Sequence, residues 1–126
     1  MSNPINNLLV IRSLDMERAV RFYEQIGVCF EKHAHGKGPE HYASAVCGFV
    51  FEIYPAHEEN DATKNTRLGF NVDCVDSVVE LLCKIDVEVI SKPKESPWGR
   101  RAVVRDFDGH AVELLSPTKT QKFPES

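Results

Sequence analysis

One helical face occurs twice in this chain, 59 residues apart. Met16, Ala19, Val20, Tyr23 and Ile26 fall at steps of 3, 4, 7 and 10 from the first residue. That is the spacing of one side of an amphipathic helix. Val75, Val78, Val79, Leu82 and Ile85 repeat it position for position. Asp15 precedes the first run as a helix cap and Gly27 follows it as a stop signal. Asp73 and Asp76 are the cap candidates for the second.

Strand candidates flank each helix: residues 8–11 and 28–32 around the first, 68–72 and the pair Val87 and Val89 around the second. Two more strands close each half. Residues 42–46 and 49–54 meet at a tight turn near Cys47 and Gly48; residues 102–104 precede a strand carrying Glu113. Gly48 and Glu52 return as Gly109 and Glu113, now with a shift of 61. The chain therefore reads as α+β, with tandem βαβββ units over about 5–56 and 66–117 in one domain. Two copies are too few for a solenoid. Residues 57–65 read as a polar surface linker and 118–126 as a frayed tail.

Composition removes several function classes. A chain of 126 residues is one ordinary domain. Its net charge is −4, from 15 Lys and Arg against 19 Asp and Glu, so it lacks the basic balance that nucleic acid demands. No apolar run approaches the roughly 18 residues that span a bilayer. The polar start has no signal-peptide pattern, and the expectation is a cytoplasmic protein. Cys29, Cys47, Cys74 and Cys83 form no C-x-x-C pair and read as reduced thiols in or near the core.

Four stretches in order resemble the vicinal-oxygen-chelate superfamily, which includes glyoxalase I, extradiol dioxygenases and bleomycin-resistance proteins. They are SLDMERAVRFYEQIGV, GFVFEIYP, LGFNVDCVDSVVELL and SPWGRRAVVRDFDGHAVELLSP. The resemblance covers residues 5–117 and implies curled mixed sheets around a cleft, a small-molecule ligand and a homodimer. In metal-using members, ligands come from the first and fourth strand of each half. Those positions here are Leu8, Glu52, Arg67 and Glu113. Leu8 has no donor atom and Arg67 is a permanent cation. The two carboxylates that remain make a poor Zn, Ni or Fe site.

Glu52 shares a strand face with Val50 and Tyr54, and Glu113 shares one with Ala111 and Leu115. A carboxylate in an apolar row needs a partner. The Arg67 guanidinium, set roughly where the metal would be, would pair with Glu52, Glu113 or both; the alternative is a plain strand-start residue. His33, His35 and His41 offer a rival metal set or, alternatively, the polar tips of a hairpin around Gly36, Gly38 and Pro39. His110 reads as a turn residue and His57 as part of the linker. Pro97, Trp98, Gly99 and Arg100 resemble the loop that lines a groove for a planar ligand in bleomycin-resistance proteins; the alternative is a Trp packed on the sheet edge.

Three functions follow as expectations. The first is a metal-free binding protein for an antibiotic-like or aromatic ligand, with Phe51, Tyr54, Arg67, Trp98 and Arg100 as ligand contacts and no cofactor. The second is a lyase, isomerase or dioxygenase that uses a divalent metal on Glu52, Glu113 and a further ligand such as His33 or His35. The third is a protein acting through its dimer surface alone.

Overall fold

Alternating apolar positions set the chain into two four-stranded sheets of the same strand order. The computed structural model describes residues 3–34, 36–58 and 63–118. His35, residues 59–62 of the linker and the tail from 119 onward lie outside the described residues.

The first half comprises β1 (Leu8–Ser13), α1 (Met16–Ile26), β2 (Glu31–His33), β3 (His41–Val46) and β4 (Phe49–Pro55). The second comprises β5 (Arg67–Asn71), α2 (Val75–Cys83), β6 (Glu88–Ser96), β7 (Gly99–Arg105) and β8 (Ala111–Pro117). The sheets are ordered β1-β4-β3-β2 and β5-β8-β7-β6 and do not close into a barrel. β1 runs parallel to β4 with Val10 opposite Glu52; β5 runs parallel to β8 with Gly69 opposite Glu113. The duplication read from the helices thus extends to strand register. A parallel pair needs a crossover element, and α1 and α2 lie between the first strands and the hairpins of their halves.

α1 forms as its sequence dictates. The Asp15 carboxylate accepts from the Arg18 N–H at 3.2 Å, and Gly27 ends the helix at φ 112°, a region that favours glycine. Its buried residues are Ala19, Phe22 and Tyr23. Phe22 lies outside the run of five read from spacing, because the buried stripe of a globular helix is wider than that run. Full burial of such a side chain contributes roughly 1.5–3 kcal/mol.

α2 departs from expectation at its start. The N-cap position is Cys74, which makes no side-chain cap bond; Asp76 sits in the first turn instead. The second strand is also shorter than expected, at Glu31–His33 rather than 28–32. Val28 and Phe30 still pack on the core, but only residues 31–33 meet β3 in register. The four cysteines are all exposed, which corrects their reading as core or near-core thiols. Cys47 takes a positive φ of 51° in the β3–β4 turn; Cys29, Cys74 and Cys83 fall in a connection or at the helix ends, where little packs over them.

One apolar cluster joins the halves. Phe51 and Ile53 of β4 and Val112 and Leu114 of β8 turn inward with the helices. Phe70 of β5 lies 5.8 Å from the Tyr23 ring and 5.9 Å from the Phe51 ring, so the halves touch through aromatic contacts on the core side. Strand side chains alternate, so Glu52 and Glu113 project from the sheet faces opposite this core. Among the described residues, no helix is long and apolar enough to cross a membrane.

Candidate functional site

The carboxylates expected to share a cleft meet different partners. Glu52 Oε2 lies 3.4 Å from His41 Nε2. His41 is buried, and its ring stacks on Tyr54 at 4.2 Å and faces His33 at 5.9 Å. His41 is therefore part of the packed sheet surface at the start of β3, not the polar tip of a loop. Arg12 reaches the same face, 5.8 Å from the Tyr54 ring.

Glu113 is claimed by two guanidiniums. Arg101 Nε donates to its Oε1, and Arg67 Nη2 lies 3.7 Å from its Oε2. Arg67 thus pairs with Glu113 and makes no ion pair with Glu52. The hydrogen bond from Arg101 outweighs partial burial and holds Glu113 below the ordinary carboxylate range. Arg67 is 55% exposed at a longer distance, which is the geometry of a weak surface pair. Arg67→Ala is therefore expected to change stability by less than about 1 kcal/mol. A urea titration checks this, with the midpoint expected to shift only slightly.

The residues at the family's ligand positions do not fit a metal. Leu8 offers no donor, Arg67 brings positive charge, and Glu113 is already held by Arg67 and Arg101. Among the described residues no group of three or more His, Cys, Asp or Glu could hold a metal ion.

Trp98 and Arg100 stand elsewhere. Trp98 is 42% exposed in the β6–β7 turn. Arg100 binds Asp76 through Nε at 2.5 Å and Nη2 at 2.9 Å, and Glu95 through Nη1 at 3.0 Å. These bonds tie the closing hairpin to the first turn of α2.

A buried polar chain escaped sequence reading. Asp106 Oδ2 accepts from the Tyr23 hydroxyl at 2.5 Å and from His110 Nδ1 at 2.7 Å. His110 Nε2 lies 2.7 Å from Thr63 Oγ1, which accepts from the Arg12 N–H at 3.0 Å. Asp108 Oδ1 also accepts from the Leu14 N–H. These last two bonds satisfy backbone donors beyond the β4-bonded side of β1, using residues from the linker and the second half. His110, expected as a turn residue, is fully buried. The chain resembles a Thr-His-Asp relay in order, but burial of His110 and Asp106 makes it a structural clamp between the halves.

One space that can take a molecule lies between the first sheet and the edge strand of the second. A cavity of about 640 Å³ opens between β1 and β5, beside the end of α1. Leu9, Phe49 and Phe51 line it from the first sheet, Leu68 and Phe70 from β5, and Ile26 and Val28 from the end of α1. Val46, Gly27, Cys29, Ser44, Gly69 and Asn71 complete the wall. Of the expected ligand contacts, Phe51 lines this cavity; Tyr54, Arg67, Trp98 and Arg100 do not. The signal for it was present only as scattered apolar residues, because the wall draws on both halves of the chain.

Fold and site together define a duplicated βαβββ protein with a small-molecule-sized cavity at the junction of its halves. The chain belongs to the Glyoxalase/Bleomycin resistance protein/Dioxygenase superfamily, whose model matches residues 5–114. It is similar to TnmS3, an antibiotic binding protein from Streptomyces sp. CB03234, with 26% identity and a TM-score of 0.70. That match covers 94% of this chain and 99% of TnmS3. A glyoxalase/bleomycin resistance protein from the same Streptomyces strain shows 27% identity and a TM-score of 0.66, covering 89% of this chain and all of the other. TioX from Micromonospora sp. ML1 shares the fold at 18% identity and a TM-score of 0.68, covering 91% of this chain and 100% of its own. No curated protein matches the chain significantly.

Proposed function

We propose that this protein binds a small organic molecule and acts by sequestration, without a metal or other cofactor. The observation that carries the proposal is the apolar cavity of about 640 Å³ between β1 and β5. Its volume falls in the range of ligand pockets, roughly 300–1,000 Å³. The similarity to an antibiotic binding protein over nearly the full length of both chains supports an antibiotic-like or aromatic ligand.

A homodimer and a cytoplasmic location belong to the same proposal. Val46 and Leu8 are large apolar residues left 65% and 49% exposed, Val46 on the cavity face of the first sheet and Leu8 on the opposite face. A second copy wrapped around this end of the first sheet would remove both from water.

Elemental analysis of protein purified without chelator, followed by calorimetric titration with a panel of aromatic antibiotics, tests the proposal. The expected outcome is metal far below one equivalent and saturable binding of a panel member by untreated protein. One equivalent of a divalent metal, with binding lost on chelation, would overturn the metal-free reading.

A further inference from the structure

We propose that the cavity selects uncharged, ring-containing ligands that bring one hydrogen-bonding group to the Ser44 hydroxyl. This rests on the reading of the cavity as a ligand site and goes beyond it by naming the ligand's chemical class.

Among the described residues, the wall contains no carboxylate, ammonium or guanidinium group. Glu52, Glu113, Arg67 and Arg101 project from the sheet faces opposite the core. A ligand ion entering this space would lose its hydration and find no counter-charge, which disfavours it unless its charge stays in water. A cationic ligand is therefore disfavoured here despite the net charge of −4.

Rings line and underlie the same wall. Phe51 and Phe70 meet edge to face at 5.9 Å, and Phe51 continues onto Tyr23 at 5.1 Å. An aromatic ligand extends this series in the edge-to-face or offset geometry that ring quadrupoles favour.

Ser44 supplies a nearly buried polar point, whereas Asn71 lies exposed. It is only 6% exposed and lines the cavity. Among the described residues no group bonds to its hydroxyl, yet that oxygen is not sealed from the cavity space. Its register explains the placement: Ser44 pairs with Phe51, so its side chain turns to the same inner face. A hydroxyl that is nearly buried and without a partner inside the protein is satisfied by a donor or acceptor on the ligand.

A matched dye pair tests the class. N-phenyl-1-naphthylamine and 1-anilinonaphthalene-8-sulfonate share a ring skeleton and differ by the sulfonate. The neutral dye is expected to bind saturably, with the anionic dye at least about tenfold weaker. Ser44→Ala is expected to weaken the neutral dye about three- to tenfold. The bound neutral dye is expected to protect Cys29, in the cavity wall, from alkylation, while Cys74 and Cys83 on the α2 side stay reactive.

Equal or tighter binding of the anionic dye with Cys29 protected overturns the uncharged class and leaves the cavity as a ligand site. An unchanged affinity in Ser44→Ala overturns the role of the hydroxyl. Dye binding that leaves Cys29 reactive, or no dye binding, overturns the cavity reading itself. Sedimentation run in parallel covers a remaining occupant: a dimer that Phe70→Asp breaks, with no dye bound by wild type, assigns the space to a second copy and overturns the proposal.

Discussion

Asp106→Ala is expected to lower stability by about 3–5 kcal/mol, enough to threaten folding of a domain this size. Asp106 is 4% exposed and accepts four hydrogen bonds. Two come from the Tyr23 hydroxyl and His110 Nδ1. The others come from the backbone N–H groups of Asp108 and His110, at 3.0 and 2.9 Å. Alanine strands these donors in the core, and an unmade buried bond costs more than a made one contributes. Thermal unfolding followed by circular dichroism checks this; a drop in Tm of more than about 10 °C is expected.

The same residues set a pH window. Burial works to raise the Asp106 carboxyl, but the bonds from His110 and Tyr23 prevail and hold it below the ordinary carboxylate range. Its contribution is thus present above the unfolded value near 4 and is lost as acid takes the pH through the lower folded value. Tyr23 moves the other way: burial first, then the Asp106 charge, raises its hydroxyl well above the usual value. Its contribution is complete below about pH 10 and is lost as the pH climbs toward the folded value. Wild-type Tm is expected to fall on both sides of a broad plateau. In Asp106→Asn the acid limb is expected to be shallower.

Phe51→Ala is expected to cost about 3 kcal/mol, the lower end of the range for a buried Phe. Phe51 is 5% exposed and touches the rings of Tyr23, Phe30 and Phe70. The value sits low because the space vacated joins an existing cavity and can fill with water or ligand. A urea titration is expected to show a lower midpoint with an unchanged slope. Dye affinity is expected to fall as well, since one of the wall's three phenyl rings is gone. Stability lost without any change in dye binding would separate Phe51 from the ligand site.

The α1 residues show what was legible in the sequence. Spacing, the Asp15 cap and the Gly27 stop are local, and each acts over one or two turns. The second helix followed from the same spacing, but its cap did not. Asp73 and Asp76 were both suitable residue types, but neither caps the helix: Asp76 sits in the first turn and binds Arg100, 24 residues along the chain. The paired glutamates were visible as a repeat, whereas their separation on outward faces was not. Thr63 and His110 read as linker and turn residues, and Asp106 was not singled out, because the polar chain they form ends on Arg12 of β1 and Tyr23 of α1, far away in sequence.

Sequence by itself determined the two βαβββ units, their shared register and the loss of two metal-ligand positions. These follow from local periodicity and from residue chemistry at matched positions. Tertiary structure decided which side the halves join on, so that Phe51 meets Phe70 while Glu52 and Glu113 turn away. It also made the cavity, whose wall draws on residues from Leu9 to Asn71. Periodicity records which side of an element is apolar, but not which other apolar side it will meet. That choice comes from packing the two halves together, and here the candidate site depends on it.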